Sequence, residues 1–173
     1  MLYTGRGDKG TTSHLGSATR VPKNDPVIEA LGSLDELNAL IGICKIKTDG
    51  EAFEILERIQ QDLFIIQAEL AGAHKHISAD KVTALERVVS GIEERLPPIQ
   101  TFFIAGGTEL ATFLDYARTV SRRTERVIVG LAQGKTIADE VLAYMNRLSS
   151  VLYALARLTN NESGITEKPP TYE

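Results

Sequence analysis

The chain has no tryptophan and only one cysteine, Cys44, among its 173 residues. One thiol cannot close an internal disulfide, nor anchor a zinc or iron–sulfur site, so a reducing, cytoplasmic setting is expected. Long apolar runs are missing too: none approaches the ~20 residues that a membrane-spanning helix needs. The N-terminus lacks the basic-then-apolar layout of a signal peptide. Positive charge is not in excess, and the formal net charge of -4 is opposite in sign to that of a dedicated nucleic-acid binder. No glutamate lies three residues before a histidine, which excludes the di-iron bundle motif, and the zinc-protease pattern is also absent. His74 and His76 therefore read as surface residues, and no protein-held metal site is expected. There is no internal repeat and no low-complexity tract. The chain is 43% hydrophobic, enough at this length to bury the core of one domain without staples.

Hydrophobic periodicity predicts five helices. Residues 4–24 are rich in Gly, Ser, Thr, Arg and Lys without a period, and read as loop. Asp25-Pro26 supplies an N-cap and a first-turn proline for a helix to about residue 48. Leu56, Ile59, Leu63, Ile66, Leu70 and Ala73 alternate spacings of three and four, which predicts a helix over 51–76. Ser78 is placed to cap a third helix over 79–95, ended by Pro97-Pro98. The extended piece IQTFFIAGGTE leads into a fourth helix over 108–133. A fifth runs over 138–160, with Val141, Met145, Leu148, Leu152 and Leu155 on one side. No convincing strand is seen. The expected architecture is all-α, a bundle over 25–164 with a mobile loop at 1–24 and a loose tail at 165–173.

The opening stretch YTGRGDKGTTS (residues 3–13) contains G-x-G-x-x-G in Gly5, Gly7 and Gly10. That fingerprint binds dinucleotides only where a strand precedes it and a helix follows, and an all-α chain offers neither. The Walker pattern fails because Lys9 precedes Gly10 instead of a magnesium-binding hydroxyl. Arg6-Gly7-Asp8 spells an adhesion tripeptide, for which chance is the better explanation. What survives is a glycine-rich loop whose free N–H groups and Lys9 suit oxyanions, with a solvated, disordered N-terminus as the alternative.

In ARTVSRRTERVIV (117–129), Arg118, Arg122 and Glu125 share one helix face, while Arg123 and Arg126 sit on the neighbouring one. Like charges at i, i+4 cost only ~0.2–0.5 kcal/mol per exposed pair. A charge-assisted bond to an oxyanion returns ~1.5–3 kcal/mol, so an anionic ligand outweighs the self-repulsion. A solvated, salt-bridged surface is the competing reading. Asp35 and Asn38 interrupt the apolar pattern of the first helix, and Asn146 and Arg147 that of the fifth. Such groups imply either a buried specificity pair, with Asp35 on an arginine, or a ligand pocket between helices.

Six motifs, YTGRGDKGTTS, GSLDELNALIG (32–42), IQQDLFIIQAELA (59–71), FFIAGGTELA (102–111), ARTVSRRTER (117–126) and YMNRLSSVLYALAR (144–157), come in one order over nearly the whole chain. In them the sequence resembles the PduO-type ATP:cob(I)alamin adenosyltransferases. The resemblance implies a five-helix bundle with ferritin-like, four-helix-bundle-type packing, assembling as a homotrimer with active sites between subunits. It implies transfer of the 5′-deoxyadenosyl group of ATP to cob(I)alamin, with release of triphosphate and with Mg2+ present. Thr4, Gly5, Arg6, Lys9, Gly10, Thr11, Thr12 and Lys23 are implied to line the nucleotide loop, and Arg122, Glu125 and Asn146 to contact ATP. Phe102 is implied to wall the lower face of the corrin, making Arg122, Phe102 and Asn146 the catalytic set. Asp35 and Arg118 are implied to pair across the subunit interface. A corrinoid reductase and an adenosylcobalamin-dependent enzyme are the implied partners. The chain departs from the family pattern in the order Gly5-Arg6-Gly7-Asp8 and in Ala105 before the two glycines. Its tail carries Tyr172 where tryptophan or phenylalanine is common. The alternatives are another nucleotide-dependent enzyme on the same bundle, or a non-catalytic helical binding or scaffold protein. A pure scaffold has no use for both the loop and the arginine helix.

Overall fold

The structure, a computed structural model, describes residues 3–172. Five helices dominate it: α1 (Pro26–Lys45), α2 (Gly50–Leu70), α3 (Ala79–Glu93), α4 (Glu109–Leu131) and α5 (Asp139–Glu162). A short antiparallel pair precedes them, β1 (Thr11–Ser13) with β2 (Arg20–Pro22), in register Thr12 opposite Val21. This hairpin corrects the expectation of a strandless loop over 4–24. It also follows the glycine fingerprint instead of preceding it, so the dinucleotide reading stays excluded. Among the described residues no helix is long and apolar enough to cross a membrane.

The helix ends follow local chemistry. Asp25 Oδ1 accepts from the amide of Val27 at 2.9 Å with Pro26 in the first turn, as the sequence predicts for α1. The Thr108 hydroxyl likewise accepts from the Ala111 amide at 3.1 Å to start α4. Ser78 stands at the N-cap of α3, but its side chain makes no capping bond. Helix α2 stops at Leu70, short of the expected 76. Gly72 takes φ +91°, and the Ala73 amide closes back on the Ala68 carbonyl at 2.9 Å. That is a Schellman closure, which needs a left-handed residue and finds it in glycine. Gly164, at φ +68°, ends α5 the same way, with Ile165 N–H donating to Asn160 O at 2.9 Å.

Helix α1 packs between α2 and α4, and α5 between α4 and α3. Leu34, Leu37 and Ile41 of α1 meet the predicted α2 stripe, of which Leu56, Ile59, Leu63, Ile66 and Leu70 are all buried. The α5 stripe Val141, Met145, Leu148, Leu152 and Leu155 is buried in full. Each such side chain contributes ~1.5–3 kcal/mol on leaving water. One polar knot crosses this core: the Tyr144 hydroxyl donates to Asp62 Oδ2 at 3.1 Å, and Lys81 of α3 pairs with the same carboxylate. It ties α5, α2 and α3 together, and burial together with the Asp62 charge pushes the Tyr144 hydroxyl well above the usual phenol range.

Cys44 is fully buried in α1, and burial pushes its thiol up to about 11. The folded protein is therefore expected to resist thiol-labelling reagents at pH 8, while denatured protein labels one thiol per chain. Rapid labelling of the native state, followed by absorbance, would contradict this packing of α1.

Candidate functional site

Helix α4 turns Ala117, Val120, Ser121, Thr124 and Ile128 inward, all of them buried. At 100° per residue this forces Arg122, Arg123 and Arg126 to the outside. Arg123 is neutralised by Glu36 of α1, with Nη2 to Oε1 at 2.6 Å. Arg118 points its Nε to Asp115 Oδ1 at 3.4 Å and lays its guanidinium 5.8 Å from the Tyr153 ring centre. Among the described residues neither Arg122 nor Arg126 has a carboxylate partner. The competing reading of a solvated, salt-bridged face therefore holds for only part of it.

Arg122 stands between two cavities. One, of about 620 Å³, has an apolar wall of Ile99, Phe102, Phe103 and Tyr153, with Arg118 and Arg122 at its side. The other, of about 440 Å³, is lined by Arg122, Glu125, Arg126 and Asn146. Asn146 donates from Nδ2 to Glu125 Oε1 at 3.0 Å and accepts from Arg147 Nη1 at 2.9 Å; Arg147 is held in turn by Glu86 at 3.0 Å. This chain fixes the amide orientation and presents the Glu125 carboxylate beside an unpaired cation. Asn146 is exposed, not embedded in the core, while its neighbours Tyr144, Met145 and Leu148 are buried. Of the two groups expected to interrupt the apolar face of α1, only Asn38 is buried; it carries one Oδ1 without a partner.

Phe102 is 81% exposed and stands outside the core. Its loop is shaped by buried polar groups that sequence reasoning missed. Asn160, at 3% exposure, donates to Gly106 O at 2.8 Å and accepts from the Thr108 amide at 3.0 Å. Asp115 accepts from the Gly106 amide at 3.1 Å with the carboxylate that also meets Arg118. Gly107 has φ +118°, and a Cβ there would collide with the Asn160 side chain. The Gly106-Gly107 pair was the available signal, since paired glycines mark close backbone approach.

The N-terminal residues form a compact turn. Gly5 and Gly10 are left-handed at φ +66° and +74°, and the Asp8 and Gly10 amides close on Gly5 O and Gly7 O at 3.2 and 3.0 Å. The Thr4 hydroxyl accepts from the Arg6 amide at 3.4 Å. The fastener is Arg20, which sequence reasoning passed over. Its guanidinium donates to Arg6 O at 2.6 Å, to the Thr11 carbonyl, and to Thr11 Oγ1 at 2.8 Å. Thr11 therefore spends an acceptor on Arg20 but keeps its O–H free to donate. Thr12 lies in the ladder opposite Val21, and Lys23 donates its amide to Gly10 O at 2.9 Å. The Lys23 ammonium lies over Gly7, where an added Cβ would sit 3.2 Å from it. Lys9 is exposed and has no carboxylate partner among the described residues.

Two predicted groupings are not assembled within one chain. The turn of Thr4, Gly5, Arg6, Lys9, Gly10, Thr11 and Thr12 shares neither of the cavities that Arg122 lines. Asp35 is exposed and borders a separate cavity of Leu15, Leu31, Phe64 and Gln67, whereas Arg118 meets Asp115 instead. The expected Asp35–Arg118 pair is thus not made inside the chain.

A protein-family model described as cobalamin adenosyltransferase matches residues 2–159. The chain is 40% identical over 170 residues to the corrinoid adenosyltransferase PduO of Salmonella typhimurium; the match takes in 94% of the chain and 50% of that protein, so the chain spans about half its length. It is 36% identical over 173 residues to a corrinoid adenosyltransferase of Bacillus subtilis, covering 95% of the chain and 89% of the relative. The fold superposes with TM-score 0.93 on a variant PduO-type ATP:corrinoid adenosyltransferase from Lactobacillus reuteri complexed with cobalamin and ATP; identity is 33%, over 99% of this chain and 97% of the other.

Replacing Arg20 with alanine removes the fastener of the N-terminal turn and nothing from the core. The Lys23 amide is expected to exchange about tenfold faster, the equivalent of losing a net ~1.4 kcal/mol of hydrogen bonding. Amide exchange by mass spectrometry checks this, and unchanged protection at Lys23 would show that the turn holds without Arg20.

Proposed function

The chain belongs to the cobalamin adenosyltransferase family, and we propose that it transfers the 5′-deoxyadenosyl group of ATP to cob(I)alamin, yielding adenosylcobalamin and triphosphate. The observation that carries this reading is Arg122, a cation with no carboxylate ion-pair partner among the described residues, standing where an apolar chamber meets a polar one. The two chambers suit the two substrates: a flat corrin against Ile99, Phe102 and Tyr153, and a polyphosphate beside Arg122, Arg126 and the Asn146 amide.

The chemistry asks little of the protein in proton transfer. Cobalt(I) is a strong nucleophile that attacks the 5′ carbon of ATP, a carbon–oxygen bond breaks, and triphosphate leaves with the electron pair. Positioning and stabilisation of the departing charge remain, which is work for Arg122, Lys9 and the N–H groups of the glycine turn. Glu125 orients the Asn146 amide. The residues fit a magnesium ion that arrives on ATP rather than one held by the protein. Glu125 is the one carboxylate lining the polar cavity, and magnesium is commonly held by one or two carboxylates plus substrate phosphates. Phe102, exposed and apolar, keeps water and an axial base from the lower face of cobalt, and a four-coordinate cobalt(II) is easier to reduce.

We place the complete site between subunits of a homotrimer. The support is that one chain holds the nucleotide turn and the arginine face apart and leaves the Asp35 carboxylate without the cation expected for it. Asp35 of one subunit then pairs with Arg118 of the next. The reaction needs reduced cobalt and yields adenosylcobalamin, so a corrinoid reductase supplies it and an adenosylcobalamin-dependent enzyme consumes its product. A cytoplasmic setting suits both this demand and a lone buried thiol.

The deciding experiment is an anaerobic assay with ATP and chemically reduced cobalamin, following the cobalt–carbon bond by absorbance. Absence of turnover, with no ATP binding by calorimetry, sinks the reading. Arg122→Ala is expected to lower kcat by about 10²–10³-fold, the usual cost of one transition-state donor, with the oligomer intact by sedimentation. Near-normal turnover would remove Arg122 from the leaving-group role. Phe102→Ala is expected to slow turnover from cob(II)alamin while ATP binding persists. Equal rates from cob(II)alamin would discount the wall.

A further inference from the structure

Residues 97–108, which carry Phe102 from α3 to α4, contain no helix or strand. Phe102 itself is 81% exposed, so packing of its own ring does not orient it. The segment's shape must come from what its neighbours bind, and three of those contacts converge on Arg157 of α5. This residue is 6% exposed. It donates from Nη2 to Pro97 O at 3.3 Å and from Nε to Glu167 Oε2 at 2.9 Å, and it lies 5.3 Å from the centre of the Phe103 ring. One residue beyond Glu167, the Lys168 carbonyl accepts from the Ile104 amide at 2.9 Å. The tail, expected to be loose, is therefore fastened through Lys168. Arg157 thus touches the segment upstream of Phe102, the residue next to it, and the tail segment that grips it downstream.

We propose that Arg157 is a positioning residue for the corrin-facing wall, clamping Pro97, Phe103 and the Glu167–Lys168 tail so that Phe102 is held over the α4–α5 cavity. This rests on the reading of Phe102 given above. A buried ion pair is an expensive way to fill space, since apolar side chains of similar size pack there at no desolvation cost. Apolar groups cannot, however, bind a carbonyl, a carboxylate and a ring face in fixed directions, which is what a planar guanidinium does. Its three targets all lie on irregular segments, and α5 is the rigid element that carries it, the arrangement that holds a site in place from behind. Tyr153, one turn before Arg157 on α5, lines the same cavity as Phe102, so the clamp and the wall share one helix.

The test compares Arg157→Met, Arg157→Lys and Glu167→Gln with the wild type in two readouts. Amide exchange without ligand is expected to show Ile104 losing protection in Arg157→Met and Glu167→Gln, with the α4 and α5 cores unchanged. In steady-state assays kcat/KM for the corrinoid is expected to fall about 10–100-fold, as a displaced wall costs, while KM for ATP stays at the wild-type value. Arg157→Lys keeps the charge without the fork and is expected to recover part of the loss. Should Arg157→Met not fold, Glu167→Gln, which alters one atom of a tail side chain outside the helical core, carries the test alone. Unchanged Ile104 protection, or equal losses toward ATP and corrinoid, overturns the proposal. A wild type inert toward cobalamin overturns the functional reading itself, whereas an active wild type with unaffected variants overturns only the clamp.

Discussion

Helix α4 packs its Ala117, Val120, Ser121, Thr124 and Ile128 edge between α1 and α5, and that packing forces its arginines to the opposite side. The small residues matter here. Ala117, Ser121 and Thr124 let the helices approach, and the hydroxyls of Ser121 and Thr124 are satisfied by the carbonyls of Arg118 and Ser33 at 2.8 and 3.2 Å. The exposed face then sorts its own charge. Glu36 takes Arg123 and Asp115 takes Arg118, while Arg122 and Arg126 have no carboxylate partner among the described residues. Both cavities owe their charge to this division, because Arg122 lines each of them.

The irregular segments around α4 are held by a different device. Asn160, Asp115 and Arg157 each bind backbone groups of the segment between α3 and α4, which has no ladder or helix of its own, and Arg20 binds the Arg6 carbonyl of the N-terminal turn in the same way. A buried polar group left unpaired costs ~1–3 kcal/mol, so a side chain that satisfies two or three at once strongly favours one loop conformation. Asp115 serves both ends of the site, binding Arg118 with one oxygen and the Gly106 amide with the other. The loop bearing Phe102 and the arginine face are thereby joined through one carboxylate.

The helices were legible because their apolar residues recur at three and four, and the structure buries those same stripes. Their ends were legible where a capping residue and proline coincide, as at Asp25-Pro26, and less so at Leu70, where Gly72 lay inside an apparently continuous pattern. The hairpin escaped notice because three-residue strands, Thr11–Ser13 and Arg20–Pro22, are too short for alternation to register. Arg20 escaped for a related reason, since its targets lie nine and fourteen residues away and no period links them. Asn146 was misplaced toward the core because its immediate neighbours are apolar, although on a helix adjacent residues face about 100° apart.

By itself the sequence determined the bundle, the face on which the arginines stand and the motifs that resemble a nucleotide-and-corrinoid enzyme. Those follow from local periodicity and residue type. Only the tertiary structure decided which arginines keep their charge free, that Arg118 turns to Asp115 within the chain, and that Asp35 faces outward. It also decided that Phe102 stands in solvent on a loop clamped from α5 and the tail. The Arg118–Asp115 contact spans only three residues of α4. The others depend on which side chains arrive from distant segments, as Glu36 does to Arg123 and Arg157 to Pro97, and hydrogen-bond satisfaction of that kind leaves no pattern along the chain.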